Sequence, residues 1–141
     1  MSGIFWDTNL FIYLFEDRGT LGERATRSAE RMEERGDELF ASALTLGEIL
    51  AHPMATGDAN QLDRIEATVR TRSVVVPFDE QAARHYAAIR RDKSIKAPDA
   101  IQLACAAKVR ADVFVTNDDR LTIKNVSGIQ FILSLDRALF I

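Results

Sequence analysis

Five short runs of consecutive apolar residues, separated by longer stretches with helical periodicity, restrict the fold that this chain can adopt. The runs cover residues 4–6, 39–41, 74–76, 113–115 and 131–133. Because each run is continuous rather than alternating with polar residues, it predicts a strand of a parallel sheet that is covered on both faces. A short buried helix would give a similar run, so the stretches between the runs decide the interpretation.

Those stretches have the apolar spacing of amphipathic helices. They cover residues 10–15, 21–35, 45–51, 59–71, 80–91 and 98–110. Strands that alternate with helices predict right-handed crossovers and an α/β fold, a three-layer α/β/α sandwich around a central, mainly parallel sheet of about five strands. Since no linker, low-complexity tract or repeat interrupts the pattern, we expect a single domain over residues 1–141.

Composition excludes several classes of protein. Cys105 is the single cysteine, so one chain can form neither an internal disulfide framework nor a multi-cysteine zinc site. The first residues lack a basic segment typical of a signal peptide, and no apolar run reaches membrane-spanning length. We therefore expect a cytoplasmic protein that has no membrane segment. A net charge of −3 argues against coating of nucleic acid by a broad basic surface.

Two acidic residues follow predicted strands closely. Asp7 comes directly after residues 4–6, and Asp118 comes shortly after residues 113–115. Each alone is explained by local structure, because Asp7 suits a helix N-cap and Asp118 suits a turn. However, open α/β sheets form their binding crevices at the carboxyl ends of the strands. Their shared position makes both acids candidates for one site.

Two further acids lie near the starts of predicted helices. Asp99 follows Pro98 in the first turn of an alanine-rich helix, where an acid also interacts favourably with the helix dipole. Glu48 lies beside Leu46 and Ile49, whose burial would leave a buried carboxylate that requires a partner or a metal. A solvated helix glutamate is the alternative interpretation of Glu48.

Acidic side chains that share one crevice need a cation. Carboxylates that lie close together raise one another's pKa unless a cation compensates their charge. Oxygen ligands without histidine or cysteine favour Mg²⁺ or Mn²⁺ over zinc, and Mg²⁺ also binds water and phosphate oxygens. Such a crevice therefore suits hydrolysis of a phosphodiester. Side chains that could orient the ligands or water are Asn9, Thr45, Thr116 and Asn117.

The order and spacing of these motifs resemble the PIN domain, and in particular toxins of the VapC type. The motifs are Asp-Thr-Asn at residues 7–9, Glu48 at an apolar helix start, Pro-Asp-Ala at residues 98–100 and Thr-Asn-Asp at residues 116–118. The resemblance covers nearly the whole chain, with residues 131–133 in the place of the last strand. It implies a Mg²⁺- or Mn²⁺-dependent endoribonuclease that is the toxin of a type II toxin–antitoxin pair.

The resemblance also implies roles for individual residues. Asp7 and Asp99 are expected to be the principal metal ligands, and Glu48 and Asp118 would complete the acidic set that binds metal and activates water. Asp118 is assigned rather than Asp119 because the family has its acid two residues after the threonine. The resemblance further implies an RNA substrate, a homodimer and a cognate antitoxin.

Other features leave alternatives open. The helix at residues 10–15 is apolar on more than one side, so it either lies wholly in the core or leaves a face for a partner. The basic segment Arg90, Arg91, Lys93 and Lys96 could contact RNA phosphates beside Asp99, or be a solvated helix end. A DNA or structure-specific nuclease of the same fold, and a noncatalytic binding module, are the competing functions.

Overall fold

The computed structural model describes residues 2–16 and 19–139. Within these residues five strands form one sheet, in the order β3-β2-β1-β4-β5, and every pair of neighbours is parallel. The strands are β1 (Gly3–Trp6), β2 (Glu38–Ser42), β3 (Val74–Val76), β4 (Val113–Val115) and β5 (Phe131–Leu133). The predicted α/β class with a parallel sheet of about five strands is therefore confirmed.

Helices follow each strand. They are α1 (Thr8–Glu16), α2 (Thr20–Arg35), α3 (Ala43–Thr56), α4 (Ala59–Arg72), α5 (Glu80–Ile89), α6 (Ala97–Lys108), α7 (Asp119–Thr122) and α8 (Leu135–Ala138). None of the helices in the described residues has the length and apolar character needed to cross a bilayer.

The two faces of the sheet bury different residues, because successive side chains of a strand point to opposite faces. On one face Phe5 stacks on Phe114, with ring centroids 5.5 Å apart, and packs in the same core as the apolar residues of α5 and α6. On the other face Ile4 and Trp6 pack with residues of α1, α2 and α8. A smaller cluster joins α3 to α4. The result is the predicted three-layer arrangement, with the sheet between two layers of helices.

The central strand β1 marks the point where the strand order reverses. The chain proceeds from β1 to β2 and β3 on one side, and then places β4 and β5 on the other side. Trp6 pairs with Val115, and the Asp7 amide donates to the Val115 carbonyl at 3.0 Å, which extends the pairing by one residue. Open α/β sheets bind ligands outside the carboxyl ends of the strands at such a reversal. Asp7 lies at that position.

Some helix boundaries differ from the predictions. Helix α3 continues beyond residue 51 and includes Pro53, whereas the pattern predicted an end before it. Helices α5 and α6 each end two residues earlier than predicted, and the short helices α7 and α8 were not predicted. Helices α7 and α8 were missed because a helix of four residues is too short to produce a periodic apolar pattern.

Candidate functional site

A cavity of about 330 Å³ opens at the carboxyl edge of the sheet, beside β1 and β4. All four acids predicted from the sequence line it. Its lining consists of Asp7, Thr8, Asn9, Ile12, Glu48, Pro98, Asp99, Gln102 and Asp118. Four separate elements thus contribute carboxylates to one space, as the positions of the motifs predicted.

Asp7 is the most buried of these acids, with 9% of its surface exposed. Its Oδ1 accepts a hydrogen bond from the Thr8 amide at 2.8 Å, and its Oδ2 accepts one from the Thr116 hydroxyl at 2.8 Å. Burial raises the pKa of Asp7, and the nearby charges of Asp99 and Glu48 raise it further, although the two hydrogen bonds oppose the shift. The carboxylate is therefore held rigidly, in surroundings that disfavour its charge.

Asp99 lies in the first turn of α6 and is half-buried. Within residues 2–16 and 19–139, no group hydrogen-bonds to its carboxylate. Burial raises the pKa of Asp99, and the negative charges of Asp118 and Glu48 add to this, while Arg120 and Lys96 oppose it. Asp99 is thus a carboxylate with vacant hydrogen-bonding capacity beside other acids.

Asp118 combines a structural role with its place in the cavity. Its Oδ1 accepts from the Arg120 amide at 3.0 Å, which caps the start of α7 as a turn residue would. The Arg120 guanidinium also binds both carboxylate oxygens, with Nε–Oδ1 at 3.0 Å and Nη2–Oδ2 at 2.7 Å. These contacts lower the pKa of Asp118. Asp119 is exposed and does not line the cavity, which favours the choice of Asp118.

Glu48 differs from its expected environment. The sequence suggested a buried carboxylate because the apolar neighbours Leu46 and Ile49 were expected to be buried. The structure instead places Glu48 in an exposed position at the rim of the cavity. Leu46 and Ile49 are buried against α4, whereas Glu48 lies on another side of α3. Its Oε1 accepts a 2.8 Å hydrogen bond from the Thr8 hydroxyl. The carboxylate therefore has a partner without being buried.

Gln102 was not singled out from the sequence, yet it lies at the centre of the polar contacts beneath the cavity. It is 2% exposed. Its Oε1 accepts from the Ser42 hydroxyl at 2.7 Å, and its Nε2 donates to the Thr8 and Thr45 hydroxyls at 2.8 Å each. A signal was present, since a glutamine interrupts an alanine-rich helix three residues after Asp99, on the same side of that helix.

The four side chains expected to orient ligands or water have different surroundings. Thr116 contacts Asp7 directly, and Thr45 hydrogen-bonds to Thr8 at 2.8 Å. Asn9 is exposed and lines the cavity. Asn117 does not line the cavity, because its Oδ1 accepts from the Leu135 amide at 3.2 Å. Asn117 is therefore engaged with the start of α8 rather than with the acids.

The basic segment before α6 is divided between different environments. Lys96 is close enough to oppose the raised pKa of Asp99. In contrast, the Arg90 guanidinium lies 6.0 Å from the centre of the Tyr86 ring, and Arg91 lines a separate cavity of about 660 Å³. Of the four basic residues, Lys96 is the one whose charge affects the pKa of Asp99 within the residues that the structure describes.

The donor set fits a hard divalent cation. In the part of the chain that the structure describes, no three acidic, histidine or cysteine side chains lie close enough together to hold one ion. Mg²⁺ needs only one or two protein carboxylates and completes its shell with water and phosphate oxygens. Burial is the main cause of the raised pKa values of Asp7 and Asp99, and neighbouring carboxylates raise both further. A bound cation would compensate the charges of these carboxylates.

Comparisons with known proteins agree with this fold. Solved structures with similar folds include VapBC2 from Rickettsia felis bound to a promoter DNA fragment, which is 14% identical with a TM-score of 0.74 and covers 94% of this chain and 98% of the matched chain. DNA-bound VapBC from Salmonella typhimurium is 24% identical with a TM-score of 0.66, covering 96% of this chain and 99% of the other. VapBC-1 from nontypeable Haemophilus influenzae is 25% identical with a TM-score of 0.66, covering 84% and 88%.

A search of curated proteins found no significant match. The model of the PIN domain, in contrast, matches residues 4–128, which include every residue that lines the cavity. This range contains Asp7, Glu48, Asp99 and Asp118. The resemblance recognised from the motifs is thereby confirmed, and the chain belongs to the PIN domain family.

Proposed function

We propose that this protein is a Mg²⁺- or Mn²⁺-dependent endoribonuclease and the toxin of a type II toxin–antitoxin pair. The observation that carries the proposal is the cavity at the carboxyl edge of β1 and β4, which four carboxylates line. Membership of the PIN domain family supports a nuclease, and the similarity to VapBC structures supports the toxin assignment.

Each acid has a distinct part in the proposed mechanism. A bound divalent cation would polarise the scissile phosphate and lower the pKa of an attacking water. Asp7 and Asp99 would hold this cation, Asp7 with its orientation determined by Thr8 and Thr116. Glu48 uses Oε1 to accept from Thr8, which leaves Oε2 to contact the cation or to accept a proton from its water. Asp118 would complete the acidic set once its carboxylate binds the cation in place of the Arg120 guanidinium.

Positive charges at the cavity mouth favour a polyanionic substrate. Lys96 and Arg120 both act electrostatically on Asp99, although the net charge of the chain is −3. They would contact phosphates next to the cleaved bond, where a bound cation further reduces the local negative charge. We infer from this arrangement that the substrate backbone enters beside the starts of α6 and α7.

A cognate antitoxin and a second copy of the chain are the proposed partners. Leu10 and Phe11 of α1 are buried in the core, whereas Tyr13, Leu14 and Phe15 are only partly buried. Helix α1 thus belongs mainly to the core and retains some apolar surface for a partner.

The proposal predicts that expression of the chain arrests bacterial growth and that expression of the Asp7→Asn variant does not.

The test is cleavage of a mixed RNA pool by purified protein, with and without Mg²⁺ or Mn²⁺. Asp7→Asn and Asp99→Asn should abolish cleavage while remaining folded, and Asp119→Asn is the matched control because Asp119 lies next to Asp118 but outside the cavity. Single-stranded and duplex DNA of matching sequence are assayed in parallel.

Each outcome identifies one of the competing functions. Metal-dependent RNA cleavage that is lost in both variants supports the proposal. Cleavage of DNA alone favours a DNA or structure-specific nuclease with the same metal chemistry. If wild type cuts neither nucleic acid and its melting temperature does not rise with Mn²⁺, the protein is a noncatalytic binding module.

A further inference from the structure

We infer that Gln102 is a positioning residue that holds the Glu48 carboxylate in the orientation needed for cation binding. The inference rests on the proposed metal-dependent function. Gln102 does not touch Glu48; it acts through the Thr8 hydroxyl, which hydrogen-bonds to both side chains at 2.8 Å. The contacts around Gln102 allow one consistent arrangement of hydrogen-bond donors and acceptors, in which Thr8 donates to Glu48.

The Thr8 hydroxyl determines the direction of the chain of hydrogen bonds. It has one proton, which it donates to Oε1 of Glu48. In its two other contacts, with Gln102 and Thr45, Thr8 must therefore accept. It follows that the Thr45 hydroxyl donates to Thr8 and that the Gln102 amide presents its NH₂ group to both threonines.

Ser42 fixes the other end of the amide. Its hydroxyl donates to Oε1 of Gln102 at 2.7 Å and accepts from the Thr45 amide at 3.0 Å. The single proton of Ser42 is then not available to the Thr45 hydroxyl, which lies farther away at 3.3 Å. If the Gln102 amide were reversed, its oxygen would face Thr8 and Thr45, and Thr8 would have to give up its bond to Glu48 in order to donate to it. The hydrogen bonds of this network therefore run in one direction, from Ser42 to Gln102, from Gln102 to the two threonines, and from Thr8 to the Glu48 carboxylate.

This network joins four elements beneath an exposed side chain. Ser42 ends β2, Thr45 lies on α3, Thr8 begins α1 and Gln102 lies on α6. Its hydroxyls and amide are buried and satisfied, which makes the arrangement rigid. A glutamate on a helix surface otherwise samples several rotamers. Here one oxygen of Glu48 is held by a rigid donor, and the other remains available to the cation or its water.

The experiment measures Mn²⁺ affinity by calorimetry for wild type, Gln102→Met and Cys105→Ala. Methionine has a similar volume but cannot donate a hydrogen bond, and Cys105 is a buried control one turn further along α6 that lies outside the network. Gln102→Met should weaken Mn²⁺ binding about 10-fold, the usual size of effect for residues that orient a ligand. Cys105→Ala should bind Mn²⁺ as wild type does.

The same substitution in a Glu48→Ala background distinguishes positioning from a general effect on folding. If Gln102 acts through Glu48, adding Gln102→Met to Glu48→Ala should change the affinity by less than about 2-fold. An equal loss in both backgrounds, or wild-type affinity in the single variant, would overturn the inference. Should Gln102→Met fail to fold, Thr8→Val breaks the link to Glu48 itself and should weaken binding by the same factor.

Failure of the proposed function has a different signature. If wild type binds no Mn²⁺, both the metal-dependent function and the positioning role are overturned. If wild type binds Mn²⁺, Asp7→Asn does not, and Gln102→Met binds normally, the proposed function stands and only the role of Gln102 is rejected.

Discussion

The hydroxyl of Thr116 donates a 2.8 Å hydrogen bond to Oδ2 of Asp7 across the junction of β4 and β1. The hydroxyl oxygen of Thr116 in turn accepts from the Asp118 amide at 3.1 Å. Thr116 is fully buried, so water cannot replace either contact. One hydroxyl thus orients the carboxylate of Asp7 and the backbone that carries Asp118, although 109 residues separate Thr116 from Asp7.

Removing this hydroxyl should destabilise the protein. In Thr116→Val the Oδ2 atom of Asp7 is left buried without a donor, so we expect the free energy of unfolding to fall by about 1–3 kcal/mol. Urea denaturation at neutral pH measures this loss. Thr71→Val is the control, because Thr71 is exposed on α4 and its hydroxyl bonds, among the residues that the structure describes, only to the Ala67 carbonyl. Equal losses in the two variants would contradict the prediction.

The stability of the cation-free protein should depend on pH through Asp7. Because burial and nearby acids raise its pKa above the usual 3.8, the folded state binds this proton more tightly than the unfolded state. The contribution of Asp7 to stability is therefore greatest at acid pH and declines as pH rises through 3.8 towards the raised pKa. Asn at this position removes the buried charge.

Asp7→Asn should consequently melt higher than wild type at neutral pH when a chelator removes cations. A gain of about 1 kcal/mol corresponds to a rise of roughly 4 °C for a domain of this size. The difference should vanish near the lower end of the titration, where Asp7 is protonated in wild type as well. A variant that melts below wild type at neutral pH would show that the buried charge is stabilising.

Cation binding should have the opposite pH dependence. Protons compete with the metal for Asp7 and Asp99, whose pKa values are both raised by burial and by neighbouring carboxylates. We expect Mn²⁺ affinity to weaken as pH falls from neutral, with proton release detectable by calorimetry in buffers of different ionisation enthalpy. Affinity that stays constant over this range would exclude both carboxylates as ligands.

The positions of the acids were predictable because they depend on strand ends. Asp7 and Asp118 follow apolar runs that the structure confirms as β1 and β4, and parallel strands bring their carboxyl ends to one edge. Three strands have the predicted bounds without change, since short runs of valine or phenylalanine permit few alternatives. Local pattern thus determined both the sheet and the side of the sheet on which the site lies.

Contacts between distant segments were not predictable in the same way. The position of Gln102 one turn after Asp99 indicates the side of α6 on which it lies, but no local pattern specifies that it contacts Thr8, 94 residues away. The predicted helix ended at residue 51, whereas α3 continues to Thr56 through Pro53, which is buried although proline cannot donate an amide hydrogen bond. Tertiary packing thus outweighed the tendency of proline to end a helix. The packing of α3 against α4 also left Glu48 on an exposed side of the helix.

Two glycines should respond in opposite ways to substitution by alanine. Gly47 lies in α3 with open space where a Cβ would be, so Gly47→Ala should stabilise the protein by about 0.5–1 kcal/mol. Gly128 has φ +97°, and a Cβ would lie 3.1–3.2 Å from backbone atoms of Ala107. Gly128→Ala should therefore destabilise by more than about 1 kcal/mol. Thermal denaturation of both variants provides the comparison, and a shift in the same direction would contradict the prediction.

Arg120 should compete with a cation for Asp118. Its guanidinium binds both oxygens of the carboxylate, but 68% of the Arg120 side chain is exposed, so the pair is screened by solvent. In Arg120→Ala we expect the melting temperature to be unchanged and Mn²⁺ to bind roughly two- to fivefold more tightly, an effect that should shrink as salt is added. Arg70→Ala removes a comparable exposed ion pair, with Glu66, on α4 and is the control. Weaker Mn²⁺ binding in Arg120→Ala alone would mean instead that the arginine orients Asp118 for the metal, because losing a mere competitor cannot lower the affinity.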